Sequence, residues 1–282
     1  MQASTALRTV ALCPAVGEEV QGIDLSRPLH RDIAAQLVAL LGERGMIFAR
    51  GQDLTPDSQL EVARIFGEVH VNPFFPAVPG HPQVAEIRKE PEQVHAVGET
   101  WHTDNSYDAA PALGSALYAR VMPPSGGDTL FISMYAVYDA LSDGLKDTLG
   151  RLRAVHSTAH VFGAGGSRAR KKLDTEAQAA KAGTREAEHP VVVTHPVSGR
   201  KLLYVNPGFT THIAGWTQKE SAALLGFLYE HAQRPDFQCR LHWEVGTIAI
   251  WDNRSTWHYA VNDYHGHRRV MHRVQIAGVP LQ

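Results

Sequence analysis

Cysteine is scarce: Cys13 and Cys239 are the only two in 282 residues, too few for a disulfide framework. They fit a reducing cytoplasm. No stretch approaches the ~20 consecutive apolar residues that a membrane helix needs. The N-terminus lacks the basic stretch and apolar run of a secretory signal, so a cytoplasmic protein is expected. Charge of one sign is also missing. A formal net charge of −2 gives no electrostatic case for nucleic acid or for an anionic membrane surface. Internal repeats and a domain-splitting linker are absent as well. What remains is the composition of an ordinary globular chain, 44% hydrophobic and 20% charged. It is long enough to bury a sizeable core in a single domain spanning 1–282. The 16 histidines stand out, although a mononuclear metal site would use only two or three of them.

Apolar spacing predicts a mostly β chain with a few helices. Strands are expected over 7–12, 16–25, 46–49, 84–88, 112–121, 130–132, 190–195, 201–205, 237–243, 247–251 and 269–276, and around His102. A helix is expected over 31–41, where Ile33, Leu37, Leu40 and Leu41 recur at helical spacing before Gly42 and Gly45. Thr55-Pro56-Asp57 opens another, a cap residue followed by proline at the first helical position. Further helical patterns run over 135–152 and 219–232. The proline-rich run 72–82 reads as an ordered loop. The stretch 163–188 is small and basic, then rich in Ala, Lys and Glu, and suits either a mobile lid insertion or a solvated surface insertion. Strands and helices do not alternate regularly, so the expected architecture is a β core with helices outside it.

Chemistry concentrates around Trp101-His102-Thr103-Asp104. On a strand, His102 and Asp104 would project to the same side. An imidazole and a carboxylate converging there make two-thirds of the 2-His-1-carboxylate face that holds Fe(II). His258 is the candidate third ligand. By itself a His-x-Asp pair is compatible with a solvated histidine on a strand or turn, so the other residues decide. Arg269 and Arg273 share one face of the last strand, about 13 Å apart at roughly 3.3 Å per residue. In isolation they would make a basic edge strand. They follow the His258 segment after only a turn, however, and so point into the space that His258 enters. Arginine grips carboxylates or sulfonates through a planar fork of donors, which suggests two anionic ligands.

These motifs, with Gly126-Gly127-Asp128-Thr129, Thr194-His195-Pro196-Val197-Ser198-Gly199-Arg200 and Trp251-Asp252-Asn253-Arg254, resemble the Fe(II)/2-oxoglutarate-dependent taurine dioxygenase and phenoxyacetate dioxygenase family. The resemblance runs over 7–278. It implies a double-stranded β-helix, or jelly roll, with outer helices. It also implies Fe(II), 2-oxoglutarate as cosubstrate and O2, with succinate and CO2 released as a substrate carbon is hydroxylated. On this resemblance His102, Asp104 and His258 are the catalytic iron ligands. Thr129 and Arg269 hold 2-oxoglutarate, Arg273 meets the substrate's acid group, and Phe162 and Phe209 are pocket walls. The chain departs from the taurine enzymes at Asn72, Phe75 and Gly98, where they carry His, Tyr and Asn. Its pocket is therefore expected to be more apolar, suited to a hydrophobic carboxylate such as an aryloxyalkanoate. Taurine, another sulfonate or an alkyl sulfate is the alternative. A zinc hydrolase also uses His and carboxylate ligands around an open position, but has no use for Arg269. A binding protein on the same scaffold would be marked by a lost ligand, and all three are present. The expected partners are a small anionic substrate and further copies of the chain as a homo-oligomer, with no nucleic acid and no membrane.

Overall fold

Alternation along the strands sorts side chains into separate apolar cores. In the computed structural model, which describes residues 6–159 and 183–282, strand β15 (Ile248–Asp252) sends Ile248 and Ile250 to one core and Ala249 and Trp251 to another. Strand β17 (Arg269–Ile276) likewise divides Val274 and Ile276 from Met271. Both belong to a nine-stranded sheet. Its order is β1 (Arg8–Ala11), β2 (Glu18–Gln21), β3 (Met46–Ala49), β15, β7 (Gly114–Val121), β17, β6 (His81–Lys89) and β5 (Ala77–Val78), with β4 (Val69–His70) also paired to β17. A three-stranded sheet is ordered β14 (Gln238–Leu241), β8 (Thr129–Ser133), β16 (Thr256–Ala260). Phe48, Leu117, Phe131, Leu241, Trp251 and Met271 form one core shared by the two sheets.

The other side of the large sheet is covered by α1 (Arg31–Arg44) and α2 (Pro56–Arg64), whose Leu37, Leu41, Leu60 and Ala63 join Ile47, Ala116 and Ile250. A third core gathers α3 (Met134–Asp139), α4 (Asp143–Leu149) and α5 (Gln218–Ala232) around Trp257 and the hairpin β11 (Val192–Thr194)–β12 (Lys201–Leu203). A further small sheet is ordered β10 (Glu186–Pro190), β9 (Arg153–Ser157), β13 (Thr210–Ile213). The chain is thus mostly sheet with few helices. Among the described residues, no helix is long and apolar enough to cross a membrane.

Local signals set the helix ends. Thr55 accepts the Ser58 N–H with Pro56 at the first position of α2. Thr217 and Glu220 form a reciprocal capping box at α5. Gly45 takes the left-handed conformation (φ 70°) that stops α1, and its N–H donates to the Leu41 carbonyl. Gly42, expected to frame the same end, instead lies inside the helix, where an added Cβ would come within 2.8 Å of Val197. The expected loop over 72–82 holds only as far as Pro76, since β5 and the start of β6 occupy the rest, with Pro82 tolerated near a strand end. Strands β9, β13 and β16 are additions to the sequence reading. Of the stretch expected as a lid, 163–182 lies outside the described residues, and Glu186 begins β10, paired to β9.

At Gly114 strands β7 and β15 leave no room for a side chain. A Cβ built there would sit 1.9 Å from the Trp251 carbonyl oxygen of β15. Backbone cannot yield as a side chain does, so Gly114→Ala must displace one strand. The expected loss is roughly 3 kcal/mol or more, read as a lowered urea midpoint. An unchanged midpoint would disprove the close approach.

Candidate active site

His102 and His258 face each other across a single antiparallel bridge. The His102 N–H donates to the His258 carbonyl at 3.2 Å, and the His258 N–H donates to the His102 carbonyl at 2.9 Å. Their rings are 4.2 Å apart. The strand expected around His102 is not formed: beyond this one bridge the chain turns over 104–107. Asn105 has φ 55°, a left-handed conformation that asparagine tolerates better than most residues. Asp104 therefore joins His102 through a turn and not through strand alternation. Ligand-capable atoms of His102, Asp104 and His258 all lie within 4.8 Å of one another.

The protonation pattern suits a metal. The Thr100 carbonyl accepts from His102 Nδ1 at 2.7 Å, which leaves a lone pair on Nε2, 3.7 Å from Asp104 Oδ1. His258 Nε2 is 3.6 Å from Asp104 Oδ2, and its Nδ1 has no hydrogen-bond partner among the described residues. Burial, aided by His102, holds His258 well below the usual histidine range despite Asp104, so its ring is neutral. Burial raises Asp104, but Arg273, His258 and His102 together outweigh it and keep the carboxyl below its ordinary value. Neutral imidazoles and a carboxylate are a donor set for a divalent first-row metal. The rings of Trp251 (4.9 Å) and Phe131 (6.3 Å) pack around His258.

The turn joining β15 to β16, which leads into His258 on β16, is pinned by a buried charge network. Asp252 Oδ1 accepts from the Arg254 backbone N–H and from its Nε, each at 2.9 Å. His195 Nδ1 accepts the N–H groups of Val197 and Ser198, which leaves its Nε2 proton to donate to Asp252 Oδ2 at 3.1 Å.

Two buried arginines on one face of β17 differ in their surroundings. Arg269 is buried, and its Nε has no partner among the described residues. Burial lowers its pKa from the ordinary arginine value, against Tyr264 and Asp128. A Cβ at Gly127 would press to 3.2 Å from the Arg269 side chain, so the glycine keeps that side clear. Thr129 Oγ1 accepts the Trp243 indole N–H at 2.9 Å, which leaves the threonine proton free for an acceptor. Arg273, by contrast, is engaged. Its Nη2 donates to Asp104 Oδ2 at 2.7 Å and its Nε to Ser115 Oγ at 3.0 Å.

The remaining expected pocket residues fall around this group unevenly. Phe209 is buried against Tyr107, with ring centroids 4.9 Å apart. A Cβ at Gly98 would meet His102 Cε1 at 3.3 Å, so Gly98 adjoins the centre. Asn72 reaches it only through a relay, donating to Gln275, which donates to Asn105 beside Asp104. Phe75 is half-buried in the loop before β5, and Phe162 lies outside the described residues. Sequence reasoning missed Trp243, Ser115, Gln275 and Tyr107. Tyr107 stands beside the His-x-Asp motif and could have been suspected. The other three carry no local signal.

Fold and site together define a β-sheet protein in which two imidazoles and a carboxylate could hold a metal, with Arg273 bonded to that carboxylate and a second buried arginine, Arg269, on the same strand face. The chain belongs to the taurine catabolism dioxygenase TauD, TfdA family, whose model matches residues 8–275. It is a 2-oxoglutarate-dependent non-haem iron dioxygenase. It is 35% identical to an alkylsulfatase of Acinetobacter baylyi, covering 93% of this chain and 82% of that protein. It is 32% identical to the alpha-ketoglutarate-dependent 2,4-dichlorophenoxyacetate dioxygenase of Cupriavidus pinatubonensis (88% and 89% covered). The crystal structure of a taurine dioxygenase from Burkholderia xenovorans superposes with a TM-score of 0.81 at 34% identity, over 97% of this chain and 90% of that one.

Asp252→Asn would leave the Arg254 charge buried without its counter-ion, at an expected cost of about 3–5 kcal/mol. Burial raises Asp252, but Arg254 and His195 hold its carboxyl below the unfolded value of 3.8. A depressed folded pKa means the contribution is complete above 3.8 and is lost as pH falls towards the folded value. The stability gap between wild type and Asp252→Asn should therefore be constant near neutrality and narrow in strong acid. Denaturant titrations of both proteins across that range test this, and a gap that widens in acid would contradict it.

Proposed function

We propose that the protein oxidises a small organic acid with an apolar body, a hydrophobic carboxylate such as an aryloxyalkanoate, at iron held by His102, Asp104 and His258 inside a double-stranded β-helix. The observation that carries this reading is the pairing of a compact His-Asp-His centre with a buried arginine, Arg269, whose Nε has no partner among the described residues. A buried guanidinium that is not fully satisfied is costly unless an anion completes it, and 2-oxoglutarate brings a carboxylate to spare. Thr129, its oxygen occupied by Trp243, donates its proton to that same carboxylate. Iron bound at the three ligands would supply the O2 activation that couples loss of CO2 from 2-oxoglutarate to substrate oxidation.

Arg273 serves the substrate. Its grip on Asp104 leaves a fork that an incoming acid can share or take over. Phe209 against Tyr107 offers an apolar wall, and Gly98 leaves space beside His102. These groups hold the reacting C–H near the open metal face and keep water away. A reducing cytoplasm is the proposed setting, with both cysteines as thiols. A second reading, taurine, another sulfonate or an alkyl sulfate, draws its support from the similarity to the alkylsulfatase. The guanidinium fork suits a sulfate as well as a carboxylate, so geometry at Arg273 does not choose between them.

The test is succinate formation with Fe(II) and 2-oxoglutarate, with and without O2, against both enantiomers of an aryloxypropionate, alkyl sulfates and taurine. Fastest turnover of an aryloxypropionate is expected. Preference for alkyl sulfates would establish the second reading, and an O2-independent hydrolysis would mean a zinc-type enzyme. His102→Ala, Asp104→Ala and His258→Ala should each abolish turnover and also the weak visible charge-transfer band of anaerobic Fe(II) with 2-oxoglutarate. A variant that keeps both removes that residue from the ligand set.

The two arginines should separate kinetically. Arg269→Ala should raise the apparent KM for 2-oxoglutarate, and Arg273→Ala that for the prime substrate. Loss of a charge-assisted contact of about 1.5–3 kcal/mol corresponds to roughly ten- to a hundredfold in each case. If Arg273→Ala weakens 2-oxoglutarate alone, the division of roles is wrong.

A further inference from the structure

The chain's two cysteines are remote in sequence and meet in the fold. Cys239 stands on β14 directly opposite Phe131 of β8, within the core shared by the sheets. Cys13, in the turn between β1 and β2, packs against that same core. Its sulfur lies 3.4 Å from the carbonyl oxygen of Gln238, the residue just before Cys239, and 3.4 Å from the Val16 nitrogen. Cys13 thus reaches the strand at the residue that adjoins Cys239. Both are free thiols, Cys13 half-buried and Cys239 buried. Neither is near enough to the metal face to be one of its ligands, and the dioxygenase reading gives them no task.

We propose that Cys13 and Cys239 are a reversible thiol–disulfide pair that closes into an intramolecular bond when a low-molecular-weight disulfide such as oxidised glutathione accumulates. Cys13 attacks one sulfur of the oxidant, whose S–S bond breaks and releases one glutathione thiolate. The Cys239 thiol then gives up its proton and attacks Cys13 in the mixed disulfide, expelling the second glutathione. Two protein thiols lose two electrons, and one disulfide is reduced to two glutathione thiols.

The surroundings divide the labour between attacker and resolver. The hydrogen bond from the Cys239 thiol, opposed by burial and assisted by the Val16 and Ala15 N–H groups and Arg44, brings Cys13 down to about 6. Its partner is pushed up by that same bond and by burial. Cys13 is thus the accessible thiolate that meets the oxidant, and Cys239 the protected thiol that resolves it. The bond would tie the N-terminal turn to β14 and close a loop of most of the chain. Constraint of so long a loop in the unfolded chain should raise Tm by roughly 5–10 °C.

The experiment uses the full-length protein incubated with oxidised glutathione, then unfolded and treated with N-ethylmaleimide. The expected product is a monomer on a non-reducing gel that takes up no alkylating agent and carries no glutathione. Digestion should release a Cys13–Cys239 peptide pair that dithiothreitol separates. Cys239→Ser should stall with glutathione on Cys13, and Cys13→Ser should leave Cys239 fully alkylatable. Oxidised wild type should melt above reduced wild type, while the oxidant raises the Tm of neither variant. A wild type that keeps both thiols, stops at the glutathione adduct or forms a crosslinked dimer would overturn the pair. Closure without a rise in Tm would overturn the tie.

Discussion

Two backbone hydrogen bonds between His102 and His258, flanked by the Ala260 N–H on the Gly98 carbonyl and the Thr103 hydroxyl on the Asn253 carbonyl, join the two segments that carry the site. They set both imidazoles 4.2 Å apart and fix where the turn after His102 must present Asp104. The opposite side of β16 is registered on β8, with His258 across from Phe131 and Ala260 across from Thr129. Phe131 and Thr129 therefore face the same way as His258, two residues apart on one strand. Strand β17 follows the same rule from the other sheet. Its inward face carries Arg269, Met271 and Arg273, with Met271 in the shared core between the two arginines. A shift of one residue in β8, β16 or β17 would turn a functional side chain out of the site. Register, more than any single contact, makes the centre.

The charges around the centre fall into two kinds. Asp252, Arg254 and His195 make a closed set in which both carboxylate oxygens and the paired imidazole nitrogens are used. Such a network is rigid, because any rearrangement would strand a buried charge. It fixes the turn that leads from β15 into β16 and so to His258. Arg269 belongs to the other kind. Its guanidinium is buried, yet its Nε is unmet among the described residues. Arg273 lies between these cases, tied to Asp104 by a bond that a stronger or better-placed acid can compete for. The site thus grades from fixed, through exchangeable, to open.

Much of this was legible in the sequence because it depends on local periodicity and residue type. The helices at 31–41 and 219–232 and the strand at 269–276 carry clear apolar spacing, and the His-x-Asp, His258 and the two arginines suggest metal and anion chemistry only when taken together. What escaped is physically different. The segment around His102 looks like a strand, but Asn105 accepts a left-handed φ and lets the chain turn at once. β16 was hidden because Thr256-Trp257-His258 reads as part of a polar motif, and its strand identity comes from pairing with β8. Trp243 cannot be tied to Thr129, nor Ser115 to Arg273, from sequence, since each contact joins residues more than a hundred positions apart. The meeting of Cys13 with Cys239 was hidden for the same reason.

Leaving Arg269 open has a thermodynamic consequence for the whole domain. A buried guanidinium without a full set of partners lowers the stability of the free protein. Because Thr129 and Arg269 come from different sheets, a dicarboxylate that satisfies both also ties β8 to β17. Binding to the native state alone stabilises by RT ln(1 + [L]/Kd), about 2.7 kcal/mol at a hundredfold excess over Kd. On the proposed role of Arg269, the cosubstrate anion would also complete the core's electrostatics. The closed Asp252 network offsets part of the deficit in its absence, by holding the His258 side of the site in place. Under the proposed roles, rigidity beside the His-Asp-His cluster and incompleteness at Arg269 would let the site stay preorganised while still gaining stability from an anion that binds there.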